Sequence, residues 1–143
     1  MKTTVLFICT HNAVRSQMAE GLLNALYGDR YQAYSAGIVK ASVNPTAIQV
    51  LKELGIDISQ HRSKTVDEFR DKSFDVVVTV CDNATKTCPF FPGKTVLHQP
   101  FYDPGTYQGT PEETLQEFRK SRDTIKNWII QTFGTNTPTK PLI

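Results

Sequence analysis

Two short apolar runs, each ending in a cysteine, constrain this chain most. Val5-Leu6-Phe7-Ile8 leads into Cys9, and Phe74-Asp75-Val76-Val77-Val78-Thr79-Val80 leads into Cys81. Runs this short and this rich in Val and Ile read as strands, and the Val run suits a central strand covered on both faces. Between the runs the pattern changes to helical spacing. Met18, Leu22, Leu23 and Leu26 line a helix expected from Ser16 to Tyr27, stopped at Gly28. Tyr31 to Ala36 reads as a second strand ending at Gly37. Asn44-Pro45 opens a second helix, with Asn44 as N-cap, Pro45 at the first helical position and a Val43–Ile48 staple. Leu51 and Leu54 extend its stripe, and Gly55 closes it. Thr65 and Glu68 are placed as the capping box of a short helix. Lys94 to His98 is a weaker strand. Thr110-Pro111-Glu112-Glu113 then starts a helix whose apolar face is Leu115, Phe118, Ile125, Ile129 and Phe133.

Strands alternating with helices imply a parallel sheet with right-handed crossovers. The expected fold is α/β: a small doubly wound domain of about four parallel strands flanked by helices. It should occupy residues 1–134 of the 143, followed by a polar tail at 135–143. Such a sheet delivers Cys9 and Cys81 to the same C-terminal edge, where open α/β folds place their ligands.

Cys9-Thr10-His11-Asn12-Ala13-Val14-Arg15-Ser16 sits where the first strand turns into the first helix. The first backbone N–H groups of a helix lack intrahelical partners, so such a turn makes a concave site for a tetrahedral oxyanion. Thr10 to Val14 would supply the cradle, and Arg15 a bidentate fork to two oxygens. Ser16 can donate a hydrogen bond to the Cys9 sulfur. The same positive surroundings are expected to keep Cys9 as the nucleophilic thiolate. A strand-end cysteine is by default a small buried hydrophobe. The following Arg, Ser and helix set Cys9 apart. Asn12 tolerates left-handed backbone and reads as the organiser of the loop. His11 fits a substrate contact or an exposed side chain equally well.

Cys88 follows Cys81 by seven residues, across a polar segment, 82–87, that reads as one short helix. If it is helical, the two Cα atoms lie roughly 10 Å apart. A disulfide needs them within about 7 Å, so pairing requires the segment to unwind. A short polar helix melts cheaply, which makes the pair a candidate redox switch. Two unrelated cysteines are the alternative. A metal pair is disfavoured because the spacing is not C-x2-C and His11 and His98 offer no matching partner, so no metal site is expected. Asp103-Pro104 follows the fourth strand. Pro104 restrains the backbone beside Asp103, which can protonate a departing oxygen if the loop overhangs the site.

Three cysteines cannot form a closed disulfide framework. With no leader pattern before the first strand, they point to a reducing, cytoplasmic setting. A net charge of +2 with no basic run argues against nucleic acid or a membrane surface as partner. No apolar stretch approaches the ~20 residues of a membrane span. A monomer is expected.

Cys9-x5-Arg15-Ser16, Cys81-x6-Cys88 and Asp103-Pro104, in that order, make the chain resemble the thioredoxin-coupled arsenate reductases, which share the fold of low-molecular-weight protein tyrosine phosphatases. Ser16-Gln17-Met18-Ala19-Glu20-Gly21, Tyr34-Ser35-Ala36-Gly37, Asn44-Pro45 and Gly55-Ile56-Asp57-Ile58-Ser59 extend the likeness over residues 4 to 133. The pair Cys81 and Cys88 selects the reductase over the phosphatase. The resemblance implies that Cys9 attacks arsenate held in the loop 10–15 while Asp103 protonates the leaving oxygen. Cys81 then attacks Cys9, arsenite leaves, and Cys88 moves the disulfide to Cys81–Cys88, which thioredoxin reduces. No tightly bound cofactor is implied. Some relatives hold potassium through residues matching Asn12, Glu20 and Ser35 plus a Thr and an Asp. Here Arg62 and Lys64 stand at those last two places, which makes a potassium site doubtful. His61-Arg62-Ser63-Lys64 is nearer the phosphatase pattern. The rival functions are a phosphatase using Cys9, Arg15 and Asp103, and a non-enzymatic redox or oxyanion sensor.

Overall fold

A central strand with no exposed side, β1 at Thr3–Cys9, organises the molecule. The computed structural model describes residues 2–81 and 91–134. β1 pairs in parallel with β2 at Tyr31–Gly37 on one side and with β3 at Val76–Thr79 on the other. β4, Thr95–His98, extends the sheet beyond β3, giving the order β2-β1-β3-β4, all parallel. The chain leaves β1 toward β2 and later returns to β3 on the opposite side. The ends of β1 and β3 therefore flank a topological switch point. Register brings Cys9 opposite Gly37, and Ile8 opposite both Ala36 and Thr79. β4 is the edge strand and largely exposed, which explains its weak apolar signal.

Alternate residues of β1 serve different cores. Val5, Phe7 and Cys9 join one buried cluster, whereas Leu6 and Ile8 join another. All three α-helices bury their stripes in the first cluster. They are α1 at Arg15–Tyr27, α2 at Pro45–Lys52 and α3 at Pro111–Ile129. Met18, Leu22 and Leu23 of α1, Val50 and Leu51 of α2, and Phe118, Ile125 and Ile129 of α3 meet there. Among the described residues the second face is covered by irregular chain instead. Phe74 and Phe91 are buried on it, with Tyr34, Val66 and Phe69 packed against them. Phe74 meets Tyr34, Phe69 and Phe91 edge-on, with ring centroids 5.3, 5.5 and 5.8 Å apart.

The expected caps on the long helices are present. Asn44 Oδ1 accepts from Thr46 N at 2.8 Å. Glu113 N donates to Thr110 Oγ1 at 3.1 Å while Thr110 N donates to Glu113 Oε1 at 2.9 Å. The expected Thr65–Glu68 box does not form. Val66–Phe69 is a single 3-10 turn without a side-chain cap, and Arg62 holds the Glu68 carboxylate through bonds of 2.8 and 2.6 Å. A charged bidentate partner outcompetes a neutral backbone N–H. Leu26 and Leu54 are exposed rather than on the buried stripes. Leu26 lies in the last turn of α1 and Leu54 beyond the end of α2, both past the reach of the core. α3 ends in a π-turn, Ile130–Gly134. The short helix expected at 82–87, Cys88 and the tail 135–143 lie outside the described residues. No described helix is long and apolar enough to cross a membrane.

One ionic cluster clamps α3 to α2. Glu53 accepts from Arg119 Nε and Nη2 at 3.0 and 2.7 Å and from Arg122 Nη1 at 2.8 Å. Arg122 is buried, 8% exposed, and also donates to the Val50 carbonyl at 2.9 Å. The bonded Arg119 guanidinium, with Arg122 behind it, holds the Glu53 carboxyl below its usual range. A depressed carboxylate contributes stability above its unfolded pKa and loses it as pH falls through the folded one. Arg122→Ala leaves a buried carbonyl without its donor, so it should cost about 1–3 kcal/mol in urea unfolding at neutral pH. Arg119→Ala, at a more exposed pair, should cost less than Arg122→Ala. Both losses should shrink when the titration is repeated below the usual carboxylate range.

Candidate active site

β1 ends at Cys9, which is buried and a free thiol. The chain then needs one residue of the wrong hand to turn back into α1. Asn12 takes it with φ at 53°, the single non-Gly positive φ among the described residues. Asn and Gly tolerate this region best, because a short polar side chain can bond locally. Here the bonds are unusually complete. Gln17 Nε2 donates to Asn12 Oδ1 at 2.9 Å and to its carbonyl at 3.2 Å, and Lys64 N donates to Oδ1 at 3.0 Å. Asn12 Nδ2 in turn donates to Ser16 Oγ at 2.8 Å. Ser16 Oγ lies 2.9 Å from Cys9 Sγ. Accepting from Asn12 leaves Ser16 its hydroxyl proton, which can be donated to the sulfur.

The loop's carbonyls are turned outward one after another. Thr10 O accepts from Ile38 N and Val39 N at 2.8 and 3.2 Å, and His11 O from Ser63 Oγ at 2.9 Å. Gln17 Nε2 reaches Asn12 O, Asn44 N reaches Ala13 O at 3.0 Å, and Met18 N reaches Val14 O at 2.9 Å. In a trans peptide the N–H of the next residue points opposite its carbonyl. The N–H groups of His11 to Arg15 therefore face into the loop, forming the concave donor set an oxyanion needs. Gly37 makes this packing feasible. A Cβ there would lie 2.8 Å from Thr10 O and 2.9 Å from Asn12 N.

Arg15 opens α1 and is buried. Its Nη1 donates to the Phe101 carbonyl at 3.3 Å, and its Nη2 lies 3.5 Å from Asp103 Oδ2. Asp103 caps the turn Pro104–Thr106, with Oδ1 accepting from Gly105 N at 2.9 Å. Strand-end Cys9, helix-start Arg15 and Ser16, and the loop aspartate thus converge. His11 is exposed. Cys81 is buried and disulfide-bonded, its partner lying outside the described residues. Its sulfur sits 3.8 Å from Thr10 Oγ1, against the anion loop. A disulfide sulfur has no proton, so its 3.8 Å approach to the Ile8 carbonyl is a contact only.

Around Glu20 the donor set does not suit a potassium ion. Glu20 Oε1 accepts from Ser35 Oγ at 2.5 Å, and Asn12 Oδ1 is taken by Gln17 and Lys64 N. Lys64 Nζ donates to the Arg62 carbonyl at 3.0 Å. Burial lowers the Lys64 pKa, while the Glu20 charge supports its protonated form. That ammonium lies near enough to feel the Glu20 charge, and it disfavours a second cation there. No group of three His, Cys, Asp or Glu side chains placed to hold a metal ion occurs among the described residues. Sequence reasoning passed over Gln17, Ser63 and Gly37 as working parts of the loop. Gln17 is an uncharged polar side chain in the first turn of α1, turned to the loops at Asn12 and Arg62. It is fully buried.

A free, buried cysteine at a strand end, followed by a loop that leads into a helix opening on a buried arginine, is the arrangement of a thiol-based enzyme on an open parallel sheet. Residues 4–135 match the model of the low molecular weight phosphotyrosine protein phosphatase family, to which the chain belongs. An arsenate reductase from Halalkalibacterium halodurans is 45% identical over 125 residues, 87% of this chain and 90% of its own. A solved arsenate reductase in the phosphate-binding state superposes with a TM-score of 0.77 at 29% identity, covering 96% of this chain and all of the other. A thioredoxin-dependent arsenate reductase from Corynebacterium glutamicum gives a TM-score of 0.61 at 30% identity, covering 90% of this chain and 62% of the other.

Gly37→Ala tests the cradle directly. The added methyl must displace the Thr10 carbonyl and the Asn12 amide. Calorimetric affinity for inorganic phosphate should fall at least about tenfold, since shifts of 1 Å in such sites are costly. The far-ultraviolet circular dichroism should be unchanged.

Proposed function

We propose that the chain reduces arsenate to arsenite with Cys9, Cys81 and Cys88 acting in turn, and that thioredoxin restores the enzyme. The observation that carries this reading is the pairing of states at the sheet edge. Cys9 is a free thiol under a Ser16 hydroxyl, while Cys81, already disulfide-bonded, lies against the same anion loop. A phosphatase needs the first cysteine alone, whereas a reductase needs a second sulfur beside it. The arsenate reductases among the relatives support the choice of oxyanion. The thioredoxin-dependent neighbour supports the choice of reductant.

The residues divide the chemistry as follows. The N–H groups of the loop Thr10, His11, Asn12, Ala13, Val14 and the Arg15 guanidinium bind and orient arsenate. The Cys9 thiolate attacks arsenic, and Asp103 gives its proton to the departing oxygen, which leaves as water. Ser16 stabilises the sulfur as an anion before attack. Cys81 thiolate then attacks Cys9 Sγ. The sulfur–arsenic bond breaks with its electron pair on arsenic, arsenic(V) becomes arsenic(III), and two thiols become the Cys9–Cys81 disulfide. Cys88 attacks Cys81 and Cys9 leaves as thiolate. The Cys81–Cys88 disulfide is then reduced by two electrons from thioredoxin. The same Cys9 loop should hydrolyse a small aryl phosphate slowly, because phosphate shares arsenate's shape and charge.

Arsenite release coupled to thioredoxin, thioredoxin reductase and NADPH tests the whole reading. Cys9→Ser should abolish it, because an alkoxide is not available at neutral pH. Cys88→Ser should release one arsenite per molecule and then stop with Cys9 tied to Cys81, visible by peptide mass after non-reducing digestion. Sustained turnover by Cys88→Ser would remove the third cysteine from the mechanism. Aryl phosphate hydrolysis should survive in Cys88→Ser.

A further inference from the structure

The Asp103 carbonyl accepts from Thr106 N and Oγ1 at 3.2 and 2.8 Å, while its carboxylate makes two contacts, Gly105 N on Oδ1 and Arg15 Nη2 on Oδ2. The second cannot persist through the reaction. When the Arg15 guanidinium turns its fork to an oxyanion, its hold on Asp103, and on the Phe101 carbonyl, is weakened. The direction of the carboxylate then depends more on what holds the rest of the segment.

The side chain of Phe101 is placed to hold that segment. Gln99 N and Phe101 N donate to the carbonyls of Thr79 and Val80 at 2.9 and 3.2 Å, so the chain beyond β4 runs extended against the end of β3. Extended backbone alternates its side chains. Phe101 is buried and Tyr102 is exposed, and Asp103 returns to the Phe101 side, toward Arg15. The Phe101 ring meets Trp128 of α3 edge-on, with centroids 5.8 Å apart and planes at 78°. Trp128 meets Phe133 at 5.7 Å, and Phe133 meets Tyr31 at 5.0 Å and Phe7 of β1 at 6.4 Å. An unbroken row of rings thus links the core strand to the loop bearing Asp103, and edge-to-face pairs of this kind fix orientation as well as burying area.

We propose that Trp128 is a positioning residue for proton transfer: through Phe101 it keeps Asp103 over the leaving oxygen once Arg15 is engaged by the oxyanion. This rests on the reading of Asp103 as the proton donor. Trp128 touches no reacting atom, so its loss should affect only substrates whose leaving group needs a proton.

The test compares kcat/KM for phenyl phosphate, whose leaving group is basic, with that for 2,4-dinitrophenyl phosphate, whose leaving group departs unprotonated. Asp103→Asn supplies the reference and should lose about 100-fold on phenyl phosphate and little on the dinitrophenyl ester. Trp128→Leu should lose about tenfold on phenyl phosphate alone, and Trp128→Phe should restore most of it, because a ring edge remains. If Trp128→Leu fails to fold, Phe101→Leu carries the same expectation. Equal losses on both esters, or no loss on either, in the folded variant would overturn the positioning role while leaving Asp103 as donor. Equal behaviour of both esters in Asp103→Asn, or hydrolysis of neither by the wild-type chain, would overturn the reading beneath it.

Discussion

The left-handed backbone at Asn12 is the constraint on which the site depends. A loop that must bind an anion has to turn its N–H groups inward, and a trans peptide then turns the carbonyls outward. Each outward carbonyl needs a donor, because a buried orphan costs about 1–3 kcal/mol. Ile38, Ser63, Gln17 and Asn44 provide those donors from β2's exit, the 61–64 loop, α1 and the cap of α2. The elements that meet at the anion loop are therefore chosen by hydrogen-bond accounting as much as by hydrophobic packing. Ser63 also accepts from Ala41 N at 2.9 Å, so one hydroxyl joins two loops.

The sheet explains why a second sulfur stands near the first. β1 and β3 are adjacent and parallel, so residues that leave their C-terminal ends enter the same crevice. β3 stops at Thr79, and Val80 still bonds back to Ile8 O at 2.8 Å before the chain reaches Cys81. Cys81 is thereby carried to the mouth of the anion loop without belonging to it. Its neighbours leave it buried, whereas the strand edge beyond, β4, is open to solvent.

The polar machinery is mounted on an apolar frame of unequal faces. Three helices cover one side of β1, and a cluster of aromatic rings covers the other. On the helical side the row from Phe7 through Phe133 and Trp128 ends at Phe101, so α3 packs against the segment beyond β4 as well as the core. The Arg122–Glu53–Arg119 cluster closes the same helix onto α2.

Much was written in local pattern, because local pattern reflects strand burial and helix capping, which involve near neighbours. The Val run of β3, the apolar run of β1, the Asn44 cap, the Thr110–Glu113 box and the parallel alternation were all legible. So was the Cys9–Arg15–Ser16 spacing, since the loop and the helix start are contiguous. Tertiary structure decided what depends on partners distant in sequence. Glu68 lost its cap role to Arg62, Leu26 and Leu54 fell beyond the core, and all three α-helices settled on one face. Gln17 became the brace of Asn12, and Gly37 became the gap that admits the loop, because each is defined by chain that folds back from elsewhere. The sequence by itself determined which chemical groups stand at the ends of the strands. Only the folded chain decided which donors meet the loop's carbonyls and which rings pack beneath the segment that carries Asp103, because those contacts join residues far apart along the chain.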